Sequence, residues 1–138
     1  MNDSVLPQPN LRSTVEEVAD RLFTAIEKGD AATVEALWDA DVLVWKSAEP
    51  EEQAKNRALR VIAWFMDSTT SRRYEILDRQ FFDGGFVQQH VLHAAGKDGE
   101  SISLRVCIVI KVGANGLITK IDEYFDPAEL EPLLRRRN

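Results

Sequence analysis

His90 and Glu123, both in the second half of the chain, have side chains suited to proton transfer. Side chains on a strand alternate between its two faces, so Glu123 shares a face with Ile121 and Phe125. Apolar surroundings raise the pKa of a carboxyl, and a nearby carboxylate raises the pKa of an imidazole and fixes its tautomer. We therefore predict a general acid–base pair in which Glu123 orients or shares a proton with His90, and His90 handles the substrate proton.

The same pair also fits a purely structural role, as a hydrogen bond or as the lining of a hydrated cavity. A metal site that includes His93 is excluded, because His93 stands three residues after His90 and so on the other face of a regular strand. The chain has one cysteine, Cys107, which excludes a disulfide framework and a cysteine zinc cluster. We expect neither a metal nor an organic cofactor.

Composition limits the kind of protein. The 138 residues suit one domain, which we place at 11–138 after a flexible arm at 1–10. Lys and Arg number 17 against 23 Asp and Glu, and this net charge of −6 argues against nucleic acid as a partner. The start, MNDSVLPQPN, lacks the pattern of a signal peptide, and Val106 to Ile110, the longest apolar run, is too short to cross a bilayer. We expect a cytoplasmic protein with no membrane partner.

Helical periodicity and a single short strand characterise the first half of the chain. The predicted elements are a helix that begins at the capping box Ser13–Glu16 and ends at Gly29, a short helix capped by Asp30, a strand at Val42–Trp45 and a helix that begins at Pro50 and carries Phe65 on its apolar stripe.

Four longer strands are predicted in the second half, at about 73–82, 86–95, 101–112 and 117–125. Glycine-rich connections favour antiparallel hairpins between them. Pro127 begins a short last helix. Helices followed by a meander predict an α+β fold, in which helices pack on one face of a curved antiparallel sheet.

Two stretches of sequence resemble the nuclear-transport-factor-2-like superfamily, which includes SnoaL-like, ketosteroid isomerase-like and limonene epoxide hydrolase-like proteins. They are AIEKGDAATVEALWDADVLVW at 25–45 and GLITKIDEYFD at 116–126. The resemblance implies a cone-shaped half-barrel, with the antiparallel sheet wrapped on three N-terminal helices and closed by a short C-terminal helix. It also implies a mostly apolar pocket and, as in many members, a homodimer formed through the outer face of the sheet.

The resemblance also assigns positions to the site. The arginine and the two aspartates of limonene epoxide hydrolase match Gln88, His90 and Glu123, so all three positions are polar but none keeps its residue. The three functional positions of ketosteroid isomerase match Leu22, Lys46 and Ile108, which excludes steroid isomerisation by that mechanism. Together with the apolar stripes, the resemblance implies a set of substrate contacts: Leu22, Trp45, Phe65, Gln88, Ile108, Ile121 and Phe125.

These observations predict a SnoaL-like pocket protein that binds a small hydrophobic, oxygenated molecule. As an enzyme it would transfer protons without a cofactor, as a lyase, isomerase or hydrolase. Two alternatives remain open, a non-catalytic binding protein and an interaction module that uses the outer face of the sheet. The second face of 101–112 mixes Cys107 and Val109 with polar residues, which suits a dimer contact.

Overall fold

The computed structural model describes residues 7–134, with side chains from Thr14 onward. Helix α1 spans Pro7–Lys28, so the start predicted at Ser13 is wrong and residues 7–10 of the predicted arm are helical; residues 1–6 lie outside the described part. Gly29, with φ of 73°, ends α1 as predicted. The Asp30 carboxylate then accepts a 3.1 Å hydrogen bond from the backbone N–H of Thr33 and caps α2, Ala31–Leu37.

The remaining elements follow in close succession. They are β1 (Trp38–Lys46), β2 (Gln53–Ala54), α3 (Lys55–Ser68), β3 (Thr69–Phe82), β4 (Gly85–Gly96), β5 (Ser101–Val112), β6 (Ile118–Tyr124), a 3-10 turn (Pro127–Leu130) and α4 (Glu131–Leu134). Helix α3 begins after the predicted Pro50, because Gln53 and Ala54 pair with β1 before the helix starts. No helix of the described residues is long and apolar enough to cross a membrane.

The strands form one curved sheet in the order β2-β1-β6-β5-β4-β3. All neighbours are antiparallel except β1 and β6, which run parallel and place Lys46 directly beside Glu123. This arrangement of helices on a curved, mostly antiparallel sheet confirms the predicted α+β cone. The parallel pair departs from the all-antiparallel sheet of the prediction.

A β-bulge in β3 changes which side chains face the helices. The register to β4 shifts between Ile76 and Asp78, so Leu77 is the extra residue. On a regular strand Tyr74 and Arg79 would face opposite sides, because they are an odd number of positions apart. With the bulge both side chains reach the inner face, where Tyr74 lines a cavity and Arg79 bonds to the buried Gln88.

The core lies between the helices and the inner face of the sheet. Strand β5 shows the predicted alternation, since Ile102, Leu104, Val106 and Ile108 are buried and the residues between them are partly or fully exposed. From α1, Leu22 and Phe23 pack against this face and are almost completely buried.

Candidate functional site

A cavity of about 140 Å³ lies between α1, α3 and the inner face of the sheet. Most of its wall is aliphatic or aromatic. The polar exceptions among the wall residues are Lys46, Tyr74 and Glu123. Apolar cavities of roughly 150 Å³ are large enough to hold benzene, so the enclosed part fits a single ring.

The structure brings most of the predicted substrate contacts together in this wall. Leu22 comes from α1, Phe65 from α3, Ile108 from β5, Ile121 from β6 and Phe125 from the segment that follows β6. Their contact with a substrate stays a prediction. Trp38 and the partly exposed Trp64 also line the cavity.

Trp45 and Gln88 do not line the cavity. Trp45 packs on Tyr124 with ring centroids 5.1 Å apart, and its indole N–H donates a 2.9 Å hydrogen bond to the carbonyl of Glu49. It faces away because Val44, its neighbour on β1, occupies the inner face. Gln88 has no exposed surface and is held between Arg79 and His90.

Glu123 is an acid in an otherwise apolar wall. It stands between Lys46 on β1 and Ile108 on β5 in the register of the sheet. Burial raises the pKa of its carboxyl, and the charge of Lys46 partly opposes that effect. Its carboxylate accepts no hydrogen bond from any described residue, so the group is free to exchange a proton with a bound molecule.

Tyr74 is the site residue that the sequence analysis missed. Burial raises the pKa of its phenol, and the charges of Glu123 and Glu27 add to the effect, so the hydroxyl stays protonated. The carboxylate of Glu27 also accepts a 2.8 Å hydrogen bond from the backbone N–H of Tyr74, which fixes this part of β3 on α1. One signal was present in the sequence: alternation places Tyr74 opposite the charged Arg73 and Glu75.

A chain of hydrogen bonds runs from the surface to His90. The guanidinium of Arg79 donates to Asp20 at 2.8 Å and to the side-chain carbonyl of Gln88 at 2.7 Å. Gln88 must then present its NH₂ group to His90, and Nδ1 of His90 accepts at 2.8 Å. The proton of the neutral imidazole therefore sits on Nε2, which is buried and has no hydrogen-bond partner among the described residues.

The environment of His90 keeps its imidazole neutral. Burial, assisted by the charge of Arg79, lowers its pKa from 6.5 to about 4. Its ring packs edge-on against Tyr74 at 4.9 Å between centroids and against Phe23 at 5.6 Å. His90 thus touches two residues of the cavity wall but does not itself belong to that wall.

The predicted hydrogen bond between His90 and Glu123 is absent from the described residues, and Gln88 takes the place expected for the carboxylate. Strand β5 separates the two strands concerned, which sets their backbones about 10 Å apart. The two side chains share the inner face as predicted, yet Ile108 lies between Glu123 and Gln88 in the register.

His93 lies on the outer face, as the alternation predicts. Its two ring nitrogens lie 2.9 Å from Ser103 Oγ and 2.8 Å from the carboxylate of Glu75. No group of three or more His, Cys, Asp or Glu that could hold a metal ion occurs within the described part of the chain.

Several solved structures share this fold. An LEH-like epoxide hydrolase of M. tuberculosis is 17% identical, with 89% of this chain and 91% of that chain covered and a TM-score of 0.73. PrhC from Penicillium brasilianum is 14% identical over 90% and 87% of the two chains, with a TM-score of 0.78. SalBIII, an epoxide hydrolase/cyclase-like enzyme in pyran ring formation in the polyether salinomycin, is 6% identical over 86% and 95%, with a TM-score of 0.75.

These low identities show a common fold and nothing further. No curated protein matches the sequence. The family model of the SnoaL-like domain, however, matches residues 19–121, a segment that runs from α1 to β6 and contains both His90 and the cavity residue Tyr74. The chain belongs to the family of SnoaL-like domains.

Proposed function

We propose that this protein binds a small, mostly apolar, oxygenated molecule in the cavity and catalyses proton transfer on it. The observation that carries the proposal is Glu123, a carboxyl with a raised pKa and no internal hydrogen bond in an apolar wall. Membership of the SnoaL-like family supports it. So does the shared fold of proteins described as epoxide hydrolase-like and cyclase-like.

Tyr74 and Glu123 have different roles in the proposed reaction. The phenol of Tyr74 donates a hydrogen bond to the substrate oxygen, and its raised pKa keeps that proton in place. The carboxylate of Glu123 removes a proton from a carbon next to the polarised group. In an isomerisation Glu123 returns the proton to another carbon, and in an elimination it gives the proton to the leaving hydroxyl, which departs as water, so the carboxylate is regenerated in either case.

Under this proposal His90 is a positioning residue. Its ring packs against Tyr74, and Gln88, Arg79 and Asp20 hold it from behind. The sequence predicted that His90 transfers the substrate proton, and the proposal assigns this step to Glu123 instead. The reason is that the imidazole lies behind the cavity wall and its basic nitrogen already accepts a hydrogen bond.

Hydrogen–deuterium exchange tests the proton transfer directly. Acetophenone is a ketone with a single ring, which suits the size of the cavity, and NMR in deuterium oxide follows the loss of the protons next to its carbonyl. We expect the wild-type protein to accelerate this loss and Glu123→Gln to reduce the acceleration by roughly 100-fold or more. Glu35→Gln, an exposed acid of α2 outside the cavity, serves as the control and retains the wild-type rate.

Exchange that survives in Glu123→Gln would refute the role of the carboxyl. Acetophenone binding without exchange in the wild-type protein identifies the second candidate, a binding protein without catalysis. The position of His90 behind the wall favours that candidate, since it leaves Glu123 without the histidine partner that the sequence predicted and with only Lys46 and Tyr74 as other titratable groups among the described wall residues.

We also propose that a second copy of the chain covers the outer face of the sheet. Val109 and Cys107 are only partly buried there, and Tyr124 is 49% exposed beside Trp45. Aromatic residues are enriched at such contacts. Sedimentation of the wild-type protein is expected to show a dimer, and Tyr124→Lys a shift to monomer. A wild-type monomer over the whole concentration range contradicts the proposal.

A further inference from the structure

Helix α3 presents two arginines beside the cavity. Arg57, Arg60 and Trp64 recur at helical spacing and, with Val61, line a groove on the surface of the protein. Val61 and Trp64 also belong to the wall of the main cavity. The groove therefore adjoins the cavity at these two side chains.

Neither arginine has an anionic partner in the part of the chain that the structure describes. Arg57 and Arg60 form no hydrogen bond or ion pair with any residue that the structure describes. The sequence offers no Asp or Glu three or four positions from either of them along the helix. The chain has 23 acids and 17 bases, so two arginines one helical turn apart without a paired acid form a local excess of positive charge.

The acids closest in sequence are Glu51, Glu52 and Asp67, and the adjoining cavity wall adds Glu123; none forms an ion pair with either arginine among the described residues. Glu52 precedes α3 and pairs with Lys120 at 2.7 Å. Glu123 lies deeper in the wall and stands beside Lys46. The positive charge of the groove is thus left to a ligand or to solvent.

We propose that Arg57 and Arg60 bind the anionic end of a ligand whose apolar body fills the cavity, the end being a carboxylate or a phosphate. A planar guanidinium presents paired N–H donors that match both groups, and such charge-assisted bonds are the stronger kind. Trp64, 40% exposed, provides an apolar surface between the arginines and the cavity. This inference rests on the proposed function, because it assumes that the cavity takes a ligand.

Three probes with the same phenyl ring and alkyl chain separate two claims, that the cavity takes a ligand and that the arginines bind the anionic end of that ligand. They are phenylbutanol, phenylbutanoate and phenylbutyl phosphate, titrated by calorimetry at low ionic strength. In the wild-type protein the two anions are expected to bind at least about tenfold more tightly than the alcohol. The double variant Arg57→Gln/Arg60→Gln is expected to bind all three with the affinity of the alcohol.

A matched control removes two positive charges elsewhere. Arg21 on α1 and Lys97 in the turn between β4 and β5 are both exposed and outside the cavity and the groove. The variant Arg21→Gln/Lys97→Gln should keep the tenfold preference. Loss of the preference in the control overturns the inference, because it shows a general charge effect. A preference for one anion only supports the site and identifies its ligand as carboxylate or phosphate.

The remaining outcomes separate this inference from the proposed function. Equal binding of the three probes by the wild-type protein overturns the arginine site and leaves the cavity as a ligand site. A preference that survives the double arginine variant but is lost in Lys46→Gln places the anion beside Glu123 and also overturns it. If none of the probes binds, both the proposed cavity function and the arginine site are refuted.

Discussion

At the scale of single residues, the polar side chains around His90 have their hydrogen-bonding roles, donor or acceptor, fixed by their neighbours. Arg79 can only donate, so it fixes the amide orientation of Gln88, and Gln88 in turn fixes the tautomer of His90. No sequence pattern reports this relay. The alternation around 86–95 predicted that Gln88 and His90 share the inner face, but their partner Arg79 reaches that face only through the bulge at Leu77.

The buried imidazole gives a pH-dependent stability. Its pKa is about 4 in the folded chain and near 6.5 when unfolded, so the unfolded state binds more protons between these values. The stability that the neutral imidazole contributes is fully present above pH 6.5. It is lost as the pH falls towards 4, which lowers the free energy of unfolding by roughly 3 kcal/mol. We expect His90→Gln to lose less stability than the wild-type protein over this range.

Urea unfolding at a series of pH values measures that difference. Gln89→Asn, on the exposed neighbouring position of β4, is the control and should follow the wild-type profile. Parallel profiles for His90→Gln and the wild-type protein would show that the imidazole takes up its proton equally in both states.

At the scale of elements, regular alternation was predictable and its interruptions were not. The inner face of β5 follows directly from its pattern, whereas Val42 to Trp45 is apolar without interruption, so the sequence offers no signal for the side that Trp45 faces. The bulge in β3 and the short β2 are set by pairing with distant strands. Both were missed for that reason.

The bulge at Leu77 is a testable element. Deleting Leu77 alone leaves Tyr74 and Arg79 four positions apart, so both side chains keep the inner face of a regular strand. Deleting Leu77 and Asp78 together leaves them three positions apart, so they can no longer both face inward. We expect the double deletion to lower the free energy of unfolding by about 3 kcal/mol or more, because either the buried relay or the packing of Tyr74 is lost. Chemical denaturation checks this. Insertion of a glycine after Asp98, in an exposed turn, is the control and should cost far less.

At the scale of the whole molecule, the fold and the general place of the cavity were predictable because patterning and resemblance both indicated the cone. The composition of the cavity wall was less predictable from the sequence. Leu22, Ile108 and Ile121 line the cavity, and their contact with a substrate stays a prediction. Tyr74 on β3 and Glu123 on β6 meet in the same wall only because the sheet is curved, which the sequence pattern does not report. His90 was assigned to the cavity because the sequence cannot show that Gln88 and Phe23 enclose it.

Two buried groups with opposite effects shape the stability of the molecule between neutral and acidic pH. Burial raises the pKa of Glu123 above 4.5, so its destabilising effect appears as the pH rises through that pKa and is relieved on acidification. His90 acts in the opposite direction. Glu123→Gln removes only the first effect, so we expect its unfolding free energy to fall more steeply than that of the wild-type protein from neutral pH towards pH 4.

Thermal unfolding of the two proteins at matched pH values gives this comparison. Glu35→Gln again serves as the control, since that acid is exposed. A slope for Glu123→Gln equal to or shallower than that of the wild-type protein contradicts the assignment of a raised pKa to the carboxyl.

The parallel pairing of β1 and β6 also bears on biosynthesis. The amide of Ser47 bonds to the carbonyl of Glu123, a partner that is translated 76 codons later. Until the ribosome has added these residues, the edge of β1 that pairs with β6 has no hydrogen-bond partner and the cavity wall lacks Glu123. The last long strand to emerge therefore completes the sheet and brings Glu123 into the cavity wall in one step.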